Sequence, residues 1–165
     1  MSKDVSRLYA SVFSAPPWNE DWTLESALRE LDEVRTKAGF SGVIARSGDG
    51  ILLGFLWGYL VPPENTARVD FEKIRRELTQ RQIAPNETYY WAEAGVRTDS
   101  RKRGIATLLL ERTIAKGDYK LLCVRTKNPT IVDMFRRACG GPEDFSFPEE
   151  SSYPGGMIYV RRVRP

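Results

Sequence analysis

The sequence predicts a single α/β domain over residues 1–165, with a mixed central sheet flanked by helices. Two apolar stretches flank a Gly-Asp-Gly turn at residues 48–50, which is typical of an antiparallel hairpin. Further along, strand-like segments alternate with helical apolar stripes, which is typical of parallel strands joined by a helix. With 41% apolar and 28% charged residues, the chain has the composition of a globular domain that can build its own core.

Two helices are predicted to precede the hairpin. Apolar residues recur at helical spacing over residues 5–13, and this first helix should end before Pro16-Pro17. Thr23 can cap a second helix, whose apolar stripe runs over residues 24–38 until Gly39 ends it. We therefore expect two helices joined by a loop that contains two tryptophans.

The hairpin is followed by an excursion and then by alternating strands and helices. Residues 62–88 are polar, and we interpret them as part of the same domain, with a short helix around residues 71–78. In the helix that opens at Gly104, Leu108 and Leu109 are expected to face inward. The elements predicted after the excursion are a strand over 89–96, a helix over 104–116, a strand over 121–124, a helix from Asn128-Pro129 to Gly140, a turn-rich segment over 142–156 and a strand over 157–163.

Composition restricts the chemistry that the chain can perform. Histidine is absent, so any proton transfer must use carboxylates, Tyr, Lys, Cys or water. Cys123 and Cys139 lack a Cys-x-x-Cys spacing, so we expect buried thiols, with neither a disulfide nor a metal site. No stretch has the length and apolarity of a membrane span or a secretory leader, and a cytoplasmic location without a membrane partner is the expectation.

A basic connection joins the strand ending at Val96 to the helix beginning near Gly104. Its sequence, Arg-Lys-Arg-Gly-Ile-Ala over residues 101–106, has the form R-x-x-G-x-G/A. Such a turn leaves backbone N–H groups free at a helix N-terminus, where the helix dipole also favours an anion such as pyrophosphate. A short basic connection can also contain Arg and Gly by chance, and these six residues alone leave both interpretations open.

With this spacing, residues 40–140 resemble the GNAT family of N-acetyltransferases. Arg101 lies five residues after Val96, as the motif does in that family, and Asn128 begins a helix further on. The resemblance implies acetyl-CoA as cosubstrate and Asn128 as a coenzyme contact. The local sequence, Asn followed by Pro, indicates a helix cap instead, and both roles can hold at once. The positions that it assigns to the coenzyme are Ala94, Gly95 and Val96 for the pantetheine arm, Arg101, Lys102, Arg103, Gly104, Ile105 and Ala106 for the pyrophosphate, and Asn128.

An amine acceptor needs a base, and Glu93 is the only carboxylate in the strand over residues 89–96. A primary amine with a pKa near ~10.4 is mostly protonated at neutral pH, and removing that proton costs about 4 to 5 kcal/mol. Glu93 also matches the catalytic or substrate-binding acid of some polyamine and aminoglycoside acetyltransferases, although a solvated or ion-paired carboxylate is the alternative. The family's frequent thiolate-protonating Tyr is replaced by Phe135, so water or a tyrosine such as Tyr153 would have to serve.

The resemblance places the acceptor, a small-molecule amine or a peptide, among three stretches at residues 16–22, 89–91 and 142–153. Acidic and aromatic residues together suit a cationic amine, although each is also common in loops and cores. These residues are Glu20, Asp21, Glu143, Asp144, Glu149, Glu150, Trp18, Trp22, Tyr90, Trp91, Phe145 and Tyr153.

Two other classes of function stay open at the level of sequence. Phe135 is compatible with a catalytically inactive acyl-CoA sensor. The arginines near residues 97–103 and at the C-terminus could instead serve a nucleic-acid-binding module, but acidic loops interrupt them and no such motif is present, so no nucleic-acid partner is expected. The net charge of +3 favours neither, and a homodimer stays open.

Overall fold

The computed structural model describes residues 2–66, 69–117, 119–139, 145–149 and 155–163. In these residues, no helix combines the length and apolar character needed to cross a membrane. The elements are α1 (Ser2–Phe13), α2 (Leu24–Val34), β1 (Ser41–Arg46), β2 (Leu52–Leu60), α3 (Phe71–Gln80), β3 (Thr88–Val96), α4 (Ile105–Lys116), β4 (Leu121–Thr126), α5 (Pro129–Cys139), β5 (Phe145–Glu149) and β6 (Gly156–Arg162).

The strands form one six-stranded sheet in the order β1-β2-β3-β4-β6-β5. Strands β3 and β4 run parallel at its centre, and every other neighbouring pair is antiparallel. The mixed sheet, the hairpin and the central parallel pair were all predicted from the sequence, and the structure confirms them.

Helices cover both faces of the sheet and divide the core into two layers. Buried residues of α1, α2 and α3 pack against Phe55 and Tyr90 on what we call the first face. Residues of α4 and α5 pack against Leu56 and Trp91 on the second face. Because side chains alternate along a strand, neighbouring residues such as Phe55 and Leu56 supply opposite layers.

Helix α2 begins as predicted but ends sooner than its apolar stripe suggests. Thr23 and Ser26 form a reciprocal capping box, with N–H to Oγ distances of 2.9 and 3.1 Å. The helix then ends at Val34 rather than near Ala38. The Thr36 hydroxyl donates to the carbonyl of Glu33 at 2.7 Å, a local bond that competes with continuation of the helix.

Two other predictions differ from the structure. In α4, Leu109 and Leu110 are buried, whereas Leu108, which was expected to face inward, is 49% exposed. The segment that forms β5 was predicted as turns, because it is short and contains Pro148. A proline is tolerated in β5 because β5 is an edge strand. The predicted stop at Gly140 and the acceptor candidates Glu143, Asp144, Glu150 and Tyr153 lie outside the described residues.

Candidate active site

The two central parallel strands separate after their first four residue pairs. Pairing runs from Thr88 opposite Leu121 to Trp91 opposite Val124. Beyond that point β3 continues to Val96 along β2, and β4 continues to Thr126 along β6. A gap therefore opens in the middle of the sheet, at the carboxyl ends of two parallel strands, where open α/β sheets commonly bind ligands.

A β-bulge at Ala92 sets the direction of Glu93. Trp57 of β2 lies opposite Glu93 whereas Gly58 lies opposite Trp91, so Ala92 is the extra residue. Directly paired residues share a face, and Trp57 belongs to the first-face core, so Glu93 lies on that face too. Ala92 packs on the same core, and Ala94 returns to the second face. The bulge thus directs Glu93 towards α1 and α2.

The gap widens into a cleft of about 1100 Å³. Its walls come from the α1–α2 loop, from both separated strands and from the start of α5. The lining residues are Phe13, Pro17, Trp18, Glu20, Asp21, Trp22, Ser26, Tyr90, Trp91, Ala92, Glu93, Ala94, Val124, Arg125, Thr126, Lys127, Asn128 and Ile131. Of the predicted catalytic and coenzyme residues, Glu93, Ala94 and Asn128 line the cleft. Six of the predicted acceptor residues line it too: Trp18, Glu20, Asp21, Trp22, Tyr90 and Trp91.

Glu93 is a half-buried carboxylate near phenols that stay neutral. Burial, and next the negative charge of Glu93, raise the pKa of Tyr59 well above its usual range. Burial also raises the pKa of Tyr90, while the positive charge of Arg125 opposes the rise. Neither phenol can therefore act as a base near neutral pH, and Glu93 is a carboxylate of the cleft that can.

The α1–α2 loop supplies the outer wall of the cleft. Trp22 donates its indole N–H to a carboxylate oxygen of Glu20 at 2.6 Å, and the ring packs edge-on against Tyr9. Trp18 packs against Phe13 and remains 43% exposed. Phe145, another predicted acceptor residue, does not line the cleft, because its ring lies on β5 beneath the Arg81 guanidinium at 4.3 Å.

The basic connection after β3 has the backbone geometry of an anion site. Lys102 and Gly104 both adopt positive φ, at 61° and 78°. Gly104 is the N-cap of α4 without a side-chain capping bond, and the first helical bond runs from Leu108 N–H to its carbonyl at 3.0 Å. The N–H groups of Ile105 and Ala106 therefore lie at an uncapped helix N-terminus, the arrangement that binds phosphate groups.

The space beside Gly104 is open, since a Cβ placed there meets no protein atom within 4 Å. The side chains of Arg101, Lys102 and Arg103 are exposed. Arg101 also donates from Nε to the carbonyl of Val96 at 3.3 Å, which holds the connection against the end of β3. These residues fit a pyrophosphate, but they lie apart from the cleft that contains Glu93.

Three of the predicted residues have structural roles that the contacts establish. Asn128 caps α5, because its side-chain oxygen accepts the N–H of Thr130 at 2.9 Å. Gly95 is needed for packing, since a Cβ there would meet the ring of Phe55 at 2.6 Å. Phe135 is fully buried against Trp91, as expected for a core residue.

Arg125 was not predicted from the sequence, although it lines the cleft beside Glu93. A clue was present, because Arg125 directly follows the buried run of residues 121–124 and thus lies at the carboxyl end of a parallel strand. Whether that strand lies beside β3 is a tertiary property, which the local pattern does not contain.

With its mixed six-stranded sheet flanked by helices, the chain has the fold of the GNAT N-acetyltransferases. A spermidine N-acetyltransferase SpeG chimera from Vibrio cholerae and hSSAT matches it with a TM-score of 0.64 and 9% identity, over 97% of this chain and 90% of that one. A GCN5-related N-acetyltransferase from Kribbella flavida matches with a TM-score of 0.63 and 17% identity, over 98% and 92%. Comparison with protein-family models and with curated proteins gave no match.

Proposed function

We propose that the protein is an N-acetyltransferase that uses acetyl-CoA and transfers the acetyl group to an amine by direct attack in a ternary complex. The observation that carries the proposal is the position of Glu93. It faces the cleft at the separation of β3 and β4, on the strand that leads into the anion-binding turn. The shared fold of the neighbouring acetyltransferases supports the reaction class.

Each part of the site has a separate role in this reaction. The uncapped start of α4, with Gly104, would hold the pyrophosphate, and the open edge of β3 at Ala94 to Val96 would hold the pantetheine arm. Acetyl-CoA supplies the thioester that the amine attacks. Glu93 takes the amine proton, directly or through water, and the neutral amine then attacks the thioester; the carbon–nitrogen bond forms, the carbon–sulfur bond breaks and the sulfur leaves as thiolate. Backbone N–H groups near Val96 would stabilise the charge that develops on the carbonyl oxygen.

The test is release of free thiol from acetyl-CoA across a panel of amines and peptides, with wild type and Glu93→Gln. We expect at least one acceptor, and a loss of about a hundredfold in kcat at neutral pH in the variant, typical of a missing general base. Acetyl-CoA affinity, measured by calorimetry, should be unchanged because Glu93 precedes the residues proposed to hold the coenzyme and makes no phosphate contact in this proposal. Raising the pH should partly rescue the variant, since more amine then loses its proton to solvent.

Glu87→Gln provides the matched control. Glu87 lies just before β3 and pairs with Lys120 at 2.6 Å, outside the cleft. Between about pH 6 and 7, solvent alone removes few amine protons. If Glu93→Gln keeps full activity in that range, Glu93 is not the base.

A catalytically inactive acyl-CoA sensor is the second candidate, and Phe135 favours it. By the sequence resemblance, Phe135 stands where many GNAT members carry the Tyr that protonates the leaving thiolate, and its ring is buried. A thiol with a pKa near ~8.5 can leave unprotonated at a cost of about 2 kcal/mol at neutral pH, so this loss is compatible with catalysis. Binding of acetyl-CoA without thiol release for any acceptor would favour the sensor, and absence of binding would contradict both.

A further inference from the structure

A positive charge shares the inner part of the cleft with Glu93. Arg125 follows Val124, the last residue of β4 that pairs with β3. Since side chains alternate along a strand, Arg125 lies on the same face as Cys123, which belongs to the first-face core. That is also the face of Glu93, and both residues line the cleft.

The two charges act on the same pair of phenols. After burial, which dominates, Glu93 raises the pKa of Tyr59 and of Tyr90, whereas Arg125 lowers both. Glu30 of α2 also raises the pKa of Tyr59, so it faces this region as well. The half-buried guanidinium of Arg125 and the carboxylate of Glu93, the proposed base, therefore both lie close enough to Tyr59 and Tyr90 to act on them electrostatically.

We infer that the acceptor carries a carboxylate beside its amine, as amino acids do, and that Arg125 binds this carboxylate while Glu93 takes the amine proton. The inference rests on the proposed function and specifies its substrate class. A guanidinium binds a carboxylate through two parallel hydrogen bonds, which fixes the orientation of a small molecule. The same guanidinium repels an acceptor that carries only positive charges, such as a polyamine, and this repulsion contributes to specificity.

The α1–α2 loop, which supplies the outer wall of the cleft, is compatible with an acceptor that carries a carboxylate. Glu20 accepts the Trp22 indole N–H, and Asp21 is exposed to solvent, where its charge is screened. The aromatic residues Phe13, Trp18 and Trp22 can receive an apolar side chain on the far side of the amine. An amino acid with an apolar side chain would thus find a base, a cation and an aromatic wall in one cleft.

The experiment compares each common amino acid with its carboxamide, which keeps the amine and removes the negative charge. The readout is kcat/KM for thiol release from acetyl-CoA. We expect the best free acid to exceed its amide by at least about tenfold, the effect of roughly 1.4 kcal/mol. Arg125→Gln should abolish this preference by lowering kcat/KM for the acid alone, and Arg125→Lys should restore part of it.

Arg162→Gln is the matched control, because it removes the same charge from an exposed position on β6, opposite Leu121 at the far end of β4. It should leave the preference unchanged. Equal rates for acids and amides in wild type would overturn the inference while leaving the acetyltransferase proposal intact. A second result would also overturn the inference: kcat/KM falls equally for acid and amide in both Arg125→Gln and Arg125→Lys, while coenzyme affinity is retained. Arg125 would then only balance the charge of nearby carboxylates. Absence of thiol release with every acceptor would overturn both proposals.

Discussion

Gly104 combines a positive φ, which glycine adopts without strain, with open space around it, and this combination allows a test of the proposed anion site. At φ 78°, any side chain costs about 1 kcal/mol of folding stability. A methyl group there meets no protein atom, so it would occupy the space that the proposal gives to pyrophosphate. We expect Gly104→Ala to weaken acetyl-CoA binding at least about tenfold in calorimetry.

A matched variant at Gly50 separates the loss of folding stability from the loss of acetyl-CoA affinity. Gly50 has φ 85°, and a Cβ there also meets nothing within 4 Å, but it lies in the hairpin turn away from α4. Gly50→Ala should therefore lower the melting temperature as Gly104→Ala does and leave acetyl-CoA affinity unchanged. Equal affinity in both variants would exclude the turn at Gly104 from coenzyme binding.

At the scale of single residues, the sequence was informative where a role depends on local context. Asn128 was predicted as a helix cap because Pro129 follows it, and the structure confirms the cap. Phe135 lies in the core. The position of Glu93 in a strand was also predicted, but its face depends on the bulge at Ala92, which only the pairing with β2 reveals. Its catalytic role stays a prediction.

Helix α5 allows the capping role of Asn128 to be separated from coenzyme contact. The side-chain oxygen of Asn128 caps the helix, and its amide nitrogen is the group that could donate to a ligand. Asn128→Ala should lower the free energy of unfolding by about 1 kcal/mol, whereas Asn128→Ser, which keeps a capping oxygen, should lower it much less. Denaturant titration measures this difference.

The two variants should behave alike in acetyl-CoA binding, because both remove the amide nitrogen. We expect a similar drop in affinity for each by calorimetry. If the serine variant binds as the wild type does while the alanine variant binds weakly, the side chain acts on the coenzyme only by holding α5 in place.

At the scale of elements, strong periodicity predicted most helices and strands, and tertiary contacts explain the errors. In α4 three consecutive leucines follow Thr107, so the sequence alone cannot decide which two face the sheet; packing on β2 buries Leu109 and Leu110. Strand β5 carries Pro148 and gains its hydrogen bonds from β6 alone. Its existence depends on a partner that comes later in the chain.

For the whole molecule, buried phenols predict a loss of stability in alkali. Burial raises the pKa of Tyr59, Tyr89 and Tyr90 well above the usual range of a phenol, and burial raises the pKa of the Cys123 thiol as well. The unfolded chain releases the thiol proton above about pH 8.5 and the phenol protons above about pH 10, while the folded chain keeps them. The free energy of unfolding is therefore unaffected at lower pH and falls as pH rises, by up to about 1.4 kcal/mol per pH unit for each group.

Denaturant titrations between about pH 8 and 11, with phenolate absorbance as a second readout, measure this slope. Tyr59→Phe should make the slope shallower, because one titrating group is removed from the unfolded chain. Reversible ionisation of all the tyrosines while the fold persists would contradict the prediction.

The gap between β3 and β4 leaves a strand edge in the interior of a sheet. The groups that such an edge presents to a ligand are main-chain N–H and C=O. Every residue type carries the same carbonyl, and all but proline carry the same N–H. A coenzyme held along such an edge, as we propose, places few demands on side-chain identity. Sequences can then drift far apart while such a binding mode persists, and the solved structure that matches with a TM-score of 0.64 shares only 9% identity with this chain.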